Sequence, residues 1–306
     1  MKLIHNAKDL QPGSRKVCLA IGVFDGVHLG HQQIIRQTVA DARLHDALGL
    51  VVTFDRHPNA IVAPDRVPQN IYSRLQKLRV IESLDADALL EIPFDRTFSE
   101  KSGEEFMREL ACDLGKIFSV CVGADFVFGR KRSGNVGLLK ALGAELNFHV
   151  HGHAAVSLDG ELVSSTRIRE AVRSGDLDAA GQMLGRPYAI CGNILSGDKI
   201  GRQLGFPTAN LDVTNLVLPP NGVYAGGVKI HGENFRAAVN IGVRPTIAGE
   251  KPAVRVEAHV LDFKGDLYGS ELALELGDRL RGEKKFSSLA ELQSQIQQDV
   301  AAVRNA

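Results

Sequence analysis

"VCLAIGVFDGVHLGHQQIIRQTVADARLHD", Val17–Asp46, changes its period halfway along. The opening "VCLAIGVFD" is a continuous apolar run, the pattern of a fully buried strand, whereas "HQQIIRQTVADARLHD" sets apolar side chains at helical spacing. This is a strand followed by its crossover helix. The alternation continues through "LGLVVTF" (48–54), "YSRLQKLRVIESL" (72–84), "ALLEIPF" (88–94), "SGEEFMRELACDL" (102–114) and "IFSVCVGADF" (117–126), which predicts a doubly wound parallel sheet. In such sheets ligands bind beyond the carboxyl ends of the strands, so "GVFDGVHLGH", "FDRHPNAIVAP" and "GADFVFGRKRSGN" are expected on one rim.

Past "LVSSTRIREAVRSGDLDAAGQMLGR" (162–186), which reads as two helices broken at Ser174 and Gly175, the grammar changes. "YAICGNILSG", "GVYAGGVKI", "FRAAVNIGV", "VRVEAHVLDF" and "ELALELGDRL" are short alternating strands set apart by Gly, Pro and Asn, the pattern of an antiparallel barrel. A closing helix, "LAELQSQIQQDVAAVR", follows. The boundary is placed at "LGRPY", where a glycine can end a helix and a proline cannot continue it, giving domains 1–185 and 186–306.

The bulk properties fit two globular domains: 306 residues, 44% apolar and 24% charged, with 36 basic and 36 acidic side chains. Balanced charge leaves no global field for nucleic acid or anionic membrane, so any phosphate chemistry rests on local groups. The N-terminus has no signal-peptide core and no run of about 18 apolar residues occurs. The expectation is a cytoplasmic protein, a monomer or weak oligomer, with neither nucleic acid nor membrane among its partners. Cys18, Cys112, Cys121 and Cys191 stand singly without a CxxC pair and read as buried free thiols.

The turn between the first strand and helix carries chemistry. A helix N-terminus offers unpaired N–H groups and a partial positive charge, and a strand, a Gly-rich turn and a helix together make an anion site. Gly22 and Gly26 let backbone approach a ligand, Gly30 leaves room beside the first turn, and His28 and His31 share one face. Donors so placed can meet the charge that spreads over nonbridging oxygens during displacement at phosphorus. Half of a metal site, or an ordinary polar helix start, are the alternatives. "SSTRIRE" opens a second such helix: Ser164, Ser165 and Thr166 can cap it, and Arg169 can reach back over its first turn to a polyphosphate.

"GVFDGVHLGHQ" and "VSSTRIRE" together resemble the HxGH and ISSTxxR pair of the nucleotidyltransferase superfamily. Over nearly its full length the chain is similar to the bacterial bifunctional riboflavin kinases/FMN adenylyltransferases, or FAD synthetases, through "TFDRHP", "GADFVFG", "GRQLGFPTAN", "NIGVRPT", "VEAHVLDFKGDLYG" and "LRGEKKF". The resemblance implies an α/β nucleotidyltransferase-type sheet followed by a kinase β-barrel with a C-terminal helix, and Mg2+-dependent use of riboflavin, FMN and ATP. It implies that His28, His31 and Arg169 act on ATP phosphates, with Gly22, Phe24, Asp25, Gly26, Gly30, Ser164, Ser165 and Thr166 around the nucleotide. Phe54, Asp55, Pro58, Asp125, Phe126, Phe128 and Arg244 would meet the flavin; Asp125 stands where some relatives carry asparagine. The chain departs from the family at "FHVHGHAAV", where His149, His151 and His153 alternate along a strand. All three then share one face, on which ordinary strand histidines are a better reading than a metal site.

In the second half, "GDKIGRQLGFPTANL" (197–211) is not a Walker P-loop, since it lacks GK[ST] after its glycines. Thr208 and Asn210 alternate along an extended segment, so their oxygens can meet one cation or phosphate. The resemblance implies ATP binding by Gly197, Lys199, Gly201, Gly205 and Pro207, with Thr208 and Asn210 at the metal. Glu257 lies on a strand with Val256 and Ala258 facing the other way, and a ribityl hydroxyl needs a proton acceptor, a role the resemblance assigns to Glu257.

Overall fold

The computed structural model describes residues 1–195, 204–243 and 254–305. Gly197, Lys199, Gly201 and Arg244 lie outside the described residues. Two compact units share the chain, Met1–Gln69 with Arg74–Ser165, and Asn70–Ser73 with Thr166–Ala306.

The first unit is built on β1 (Lys2–Ile4), β2 (Val17–Ile21), α1 (Leu29–Leu44), β3 (Leu48–Phe54), α2 (Arg74–Glu82), β4 (Ala88–Ile92), α3 (Gly103–Leu114), β5 (Ile117–Gly123), α4 (Val136–Leu146) and β6 (His149–His153). The six strands form one parallel sheet in the order β1-β4-β3-β2-β5-β6. All of β2 is buried, as a strand covered by helices on both faces must be. Strand order reverses direction at β2, with β3 and β4 to one side and β5 and β6 to the other, so the loop leaving β2 opens at the crevice where such sheets bind ligands. The expected elements are present with ends trimmed by a few residues. The edge strand β1 and helix α4 were not anticipated: "KLI" is too short to show a period, and "VGLLKALGAEL" is apolar on too many sides to show a stripe. Cys18, Cys121 and Cys191 are buried and outside any disulfide, whereas Cys112, on the outer side of α3, is exposed.

The second unit begins with two helices, α5 (Ser165–Ser174, whose first residue closes the first unit) and α6 (Leu177–Leu184), and Gly185 ends α6 in the left-handed region. β7 (Ala189–Leu195), β8 (Ala209–Leu211), β9 (Gly222–Ile230), β10 (Glu233–Val243), β11 (Val254–Val260) and β12 (Glu271–Arg281) close an antiparallel barrel in the order β7-β8-β11-β10-β9-β12. Alternation decides its two faces: Val256, Ala258 and Val260 on β11, and Ala237, Val239 and Ile241 on β10, fill the interior, leaving Glu257 and Asn240 on the outer wall. The closing helix α7 (Leu289–Asn305) packs on that wall through Val303, which meets Ala225 and Leu261.

The loop after β5 is seated on α3 by close backbone approach. Gly129 has φ +72°, and a Cβ there would stand 2.2 Å from the Gly103 nitrogen. Gly129→Ala is therefore expected to push the 124–135 loop off α3 and cost the first unit about 1–3 kcal/mol, measured by denaturant unfolding. A variant as stable as the parent would contradict this packing account.

Two candidate active sites

Where β2 ends, Gly22 has no room for a side chain: a Cβ would meet the Phe24 ring at 2.9 Å. Phe24 takes φ 51°, folds its ring into the core, 1% exposed, and sets it edge-on to His31 with centroids 5.3 Å apart. Phe24 therefore backs His31 rather than presenting its ring outward. A 3-10 turn, Asp25–Val27, needs Gly26 at φ 76° and delivers His28 to the N-cap of α1. There His28 Nδ1 accepts from the His31 backbone N–H at 3.4 Å, so in the neutral ring the proton is assigned to Nε2. The two imidazoles stack with centroids 3.6 Å apart, and Gly30 leaves their space open, since a Cβ there would crowd the His28 ring at 3.3 Å. Ser165 Oγ donates to Asp25 O at 3.0 Å, which ties the "SSTRIRE" helix start to the histidine turn. Ser164 is half-buried, Thr166 exposed and Arg169 buried on α5.

Burial, reinforced by neighbouring His28 and Lys77, holds the His31 imidazole well below its ordinary pKa. Its Nδ1 is buried with no hydrogen-bond partner among the described residues. Lys77 was not anticipated as a site residue, because in "YSRLQKLRVIESL" it is one of several charges on a helix. Its ammonium donates to Phe54 O at 2.9 Å and Thr53 Oγ1 at 3.4 Å. Burial lowers its pKa, against the opposing pull of Glu91 and Asp25.

On the same rim, Phe54 ends β3 and starts a train of aromatic contacts. It meets Phe94 at 5.3 Å, Phe94 meets Phe98 at 5.4 Å, Phe98 meets Phe106 at 5.6 Å and Phe106 meets Phe128 at 6.2 Å, where Phe126 stacks on Phe128 at 5.1 Å. Phe126 and Phe128 also pack on the sheet core, and Asp125 beside them is exposed. Burial works to raise the pKa of Asp55, but hydrogen bonds from Arg56 and from the Phe94 N–H at 2.8 Å outweigh it and hold the carboxyl below its ordinary value. Pro58 opens the short helix Asn59–Val62 just beyond.

Along the histidine strand, His149 is edge-on to Phe118 at 5.4 Å, His151 Nε2 lies 3.5 Å from Asp41 Oδ2, and His153 Nε2 is buried with no hydrogen-bond partner among the described residues. Among the described residues no group of three or more His, Cys, Asp or Glu side chains could hold a metal.

On the barrel, register brings together what the sequence keeps apart. Asn210 on β8 pairs with Glu257 on β11, which pairs with Asn240 on β10; Val223 on β9 comes next, then Arg281 on β12. This row crosses the outer wall and lines a cleft of about 370 Å³ completed by Phe286 and α7. Arg281 is held in place by a two-pronged ion pair to Asp299 of α7, 2.9 and 2.7 Å. Glu257 Oε1 lies 3.7 Å from Arg255 Nη1. Thr208 and Asn210 also line an adjoining cleft of about 480 Å³ with Lys264, Asp266 and Tyr268. Gly205, at φ 88°, turns the chain into this segment, and His259 Nδ1 bonds Pro207 O at 2.8 Å to fix it. Asn240 and the Arg281–Asp299 pair were missed because only register and the closing helix place them here.

Residues 10–167 match the family model described as FAD synthetase, and residues 184–306 that described as riboflavin kinase. The bifunctional riboflavin kinase/FMN adenylyltransferase of Pseudomonas fluorescens is 37% identical over 304 residues, covering 99% of this chain and 97% of its own. That of Escherichia coli K12 is 35% identical over 306 residues with the same coverage. A solved structure described as a macrolide-efflux protein from Streptococcus pneumoniae is 28% identical, covers 100% of both chains and has a TM-score of 0.83. Among the described residues no helix is long and apolar enough to cross a membrane.

The depressed pKa of His31 has a stability signature. Between its folded value and the unfolded value of about 6.5 the folded chain binds fewer protons, so stability present at about pH 7 is lost as pH falls below about 6.5. His31→Gln should flatten the acid-side fall in thermal stability of the first unit between about pH 7 and pH 5. Equal slopes in variant and parent would contradict the burial account.

Proposed function

Since the chain belongs to the bifunctional riboflavin kinase/FMN adenylyltransferase family, it phosphorylates riboflavin to FMN and adenylylates FMN to FAD, and we propose that the first step runs on the barrel wall around Glu257 and the second at the His28–His31 turn. The functional halves are taken as residues 1–185 and 186–306. Riboflavin, FMN and ATP are the partners. Use of ATP in both steps supports a cytoplasmic enzyme, taken as a monomer or weak oligomer, and its 36 acidic and 36 basic residues give nucleic acid no field to follow.

The observation that carries the kinase assignment is the row in which the Glu257 carboxylate stands level with Asn210 across one strand pair. A ribityl hydroxyl is a weak nucleophile until its proton has an acceptor, and Glu257 Oε1 supplies one as the oxygen attacks the γ-phosphorus of ATP. Thr208 and Asn210 offer neutral, hard oxygens to the phosphate side. Such a pair suits Mg2+, which keeps most of its shell on phosphate and water, and when bound Mg2+ neutralises charge on the transferring phosphate. Asn240 stands beside the carboxylate and, with Arg281 farther along the same cleft, orients the flavin tail, while Asp299 holds the Arg281 guanidinium in place.

Adenylylation needs no base, because the FMN phosphate is already anionic. His28 and His31 donate to oxygens of the ATP phosphates as charge builds, with the backbone N–H groups at the start of α1 behind them, and Arg169 holds the polyphosphate. A neutral His31 donates without a charge that water or salt would screen. Phe54, Phe126 and Phe128 give the isoalloxazine its apolar surface, with Asp55, Pro58 and Asp125 at its edge.

Two substitutions separate the steps. Glu257→Gln should lower riboflavin phosphorylation at saturating riboflavin by about 100-fold or more and leave supplied FMN converting to FAD normally. His31→Ala should do the reverse, so that FMN accumulates from riboflavin. A folded Glu257→Gln enzyme with near-normal kinase turnover would remove Glu257 from the mechanism, and loss of both steps in either variant would contradict separate sites.

A further inference from the structure

Lys77 is a cation that the mechanism above leaves unused. It stands on α2, which packs against the Asp25–Val27 turn. Its bonds to Phe54 O and Thr53 Oγ1, 2.9 and 3.4 Å, fasten the ammonium at the carboxyl end of β3. Thr53 Oγ1 donates onward to Val23 O at 3.1 Å, so the same hydroxyl joins β3 to the residue just past β2. The ammonium thus sits at the seam between the histidine turn and the aromatic rim. Its charge reaches both sides, acting on His31 and feeling Asp25, Glu91 and Asp55. Neighbouring cations are engaged elsewhere: Arg74 forks onto Glu91 at 2.8 and 3.0 Å, and Arg56 onto Asp55 at 3.1 and 2.8 Å. An ammonium has three N–H donors, and two meet Phe54 O and Thr53 Oγ1.

The reaction requires a cation at such a seam. A phosphomonoester dianion must approach a polyphosphate, and like charges a few ångströms apart repel strongly in a partly desolvated cleft. We propose that Lys77 binds the phosphate of FMN with its third N–H and holds one phosphate oxygen in line with the α-phosphorus of ATP. The inference rests on the reading of the His28–His31 turn as the adenylyl-transfer site. The oxygen's electron pair forms the new O–P bond while the bond from the α-phosphorus to the bridging oxygen breaks, and that pair leaves on pyrophosphate. No proton moves, and the ammonium is unchanged at the end.

The test uses two variants of the full-length enzyme. K77Q keeps an N–H for Phe54 O and discards the charge; K77M discards both. Both are expected to lower kcat/KM for FMN in FAD formation by about 100-fold or more, with KM for ATP in that step within about threefold and riboflavin phosphorylation within about twofold of the parent. Should K77M fail to fold, K77Q carries the comparison. A K77Q enzyme with near-parental FAD formation beside an impaired K77M would make Lys77 a structural anchor and overturn the proposal. A rise in KM for ATP as large as the loss in FMN efficiency would also overturn it, by moving the lysine to the nucleotide side. H31A is assayed in parallel. If K77Q is unimpaired while H31A makes no FAD, only this inference fails; if H31A also makes FAD at the parental rate, the reading of the turn fails with it.

Discussion

The hydrogen bond from the His31 backbone N–H to His28 Nδ1 is the constraint on which the first unit's chemistry depends. It starts α1 at the crevice where strand order reverses, assigns the His28 proton to Nε2 and stacks the two rings. Much of what surrounds it makes that bond possible: Gly22 clears space for Phe24, Phe24 backs His31, Gly26 takes the backbone through a conformation other residues resist, and Ser165 ties Asp25 down. If, as proposed, this helix start is both fold element and phosphate site, neither role can be altered alone.

The two units solve different versions of one problem, displacement at phosphorus. In the proposed assignment, where the nucleophile is a neutral hydroxyl, the barrel supplies the Glu257 carboxylate on its outer wall, flanked by two asparagines in register. Where the nucleophile is already an anion, the same assignment asks the sheet for donors and cations instead. Closing the barrel with α7 and pinning Arg281 to Asp299 turns an exposed row of side chains into a cleft. The alternation that buries Val256 and Ala258 is what exposes Glu257 between them.

Much of the fold was legible because the inner parallel strands are buried on both faces and the helices on one, two patterns with different periods. β2 shows this best, every residue of it buried. Elements without a period were not legible: β1 has three residues, and α4 is apolar nearly all round. The histidine turn and the segment with Thr208 and Asn210 were legible because their residue types are local and unusual. Lys77, Asn240, Arg281 and Asp299 were not, since a lysine on a helix or an asparagine on a strand gains meaning only from register and tertiary contact. Phe24 shows the opposite limit: its place in the motif suggested a ligand contact, and the left-handed backbone turns its ring inward.

The central claim is that two sites of different chemistry, one in each half, act in sequence on a shared flavin. It is tested most directly by mixing two purified variants, His31→Ala and Glu257→Gln, with riboflavin and MgATP and separating the flavins chromatographically over time. The account predicts that neither variant alone makes FAD at an appreciable rate, and that the mixture does, after FMN has passed from one molecule to the other. A mixture that makes no more FAD than its components, although each variant retains its own untouched activity, would contradict it.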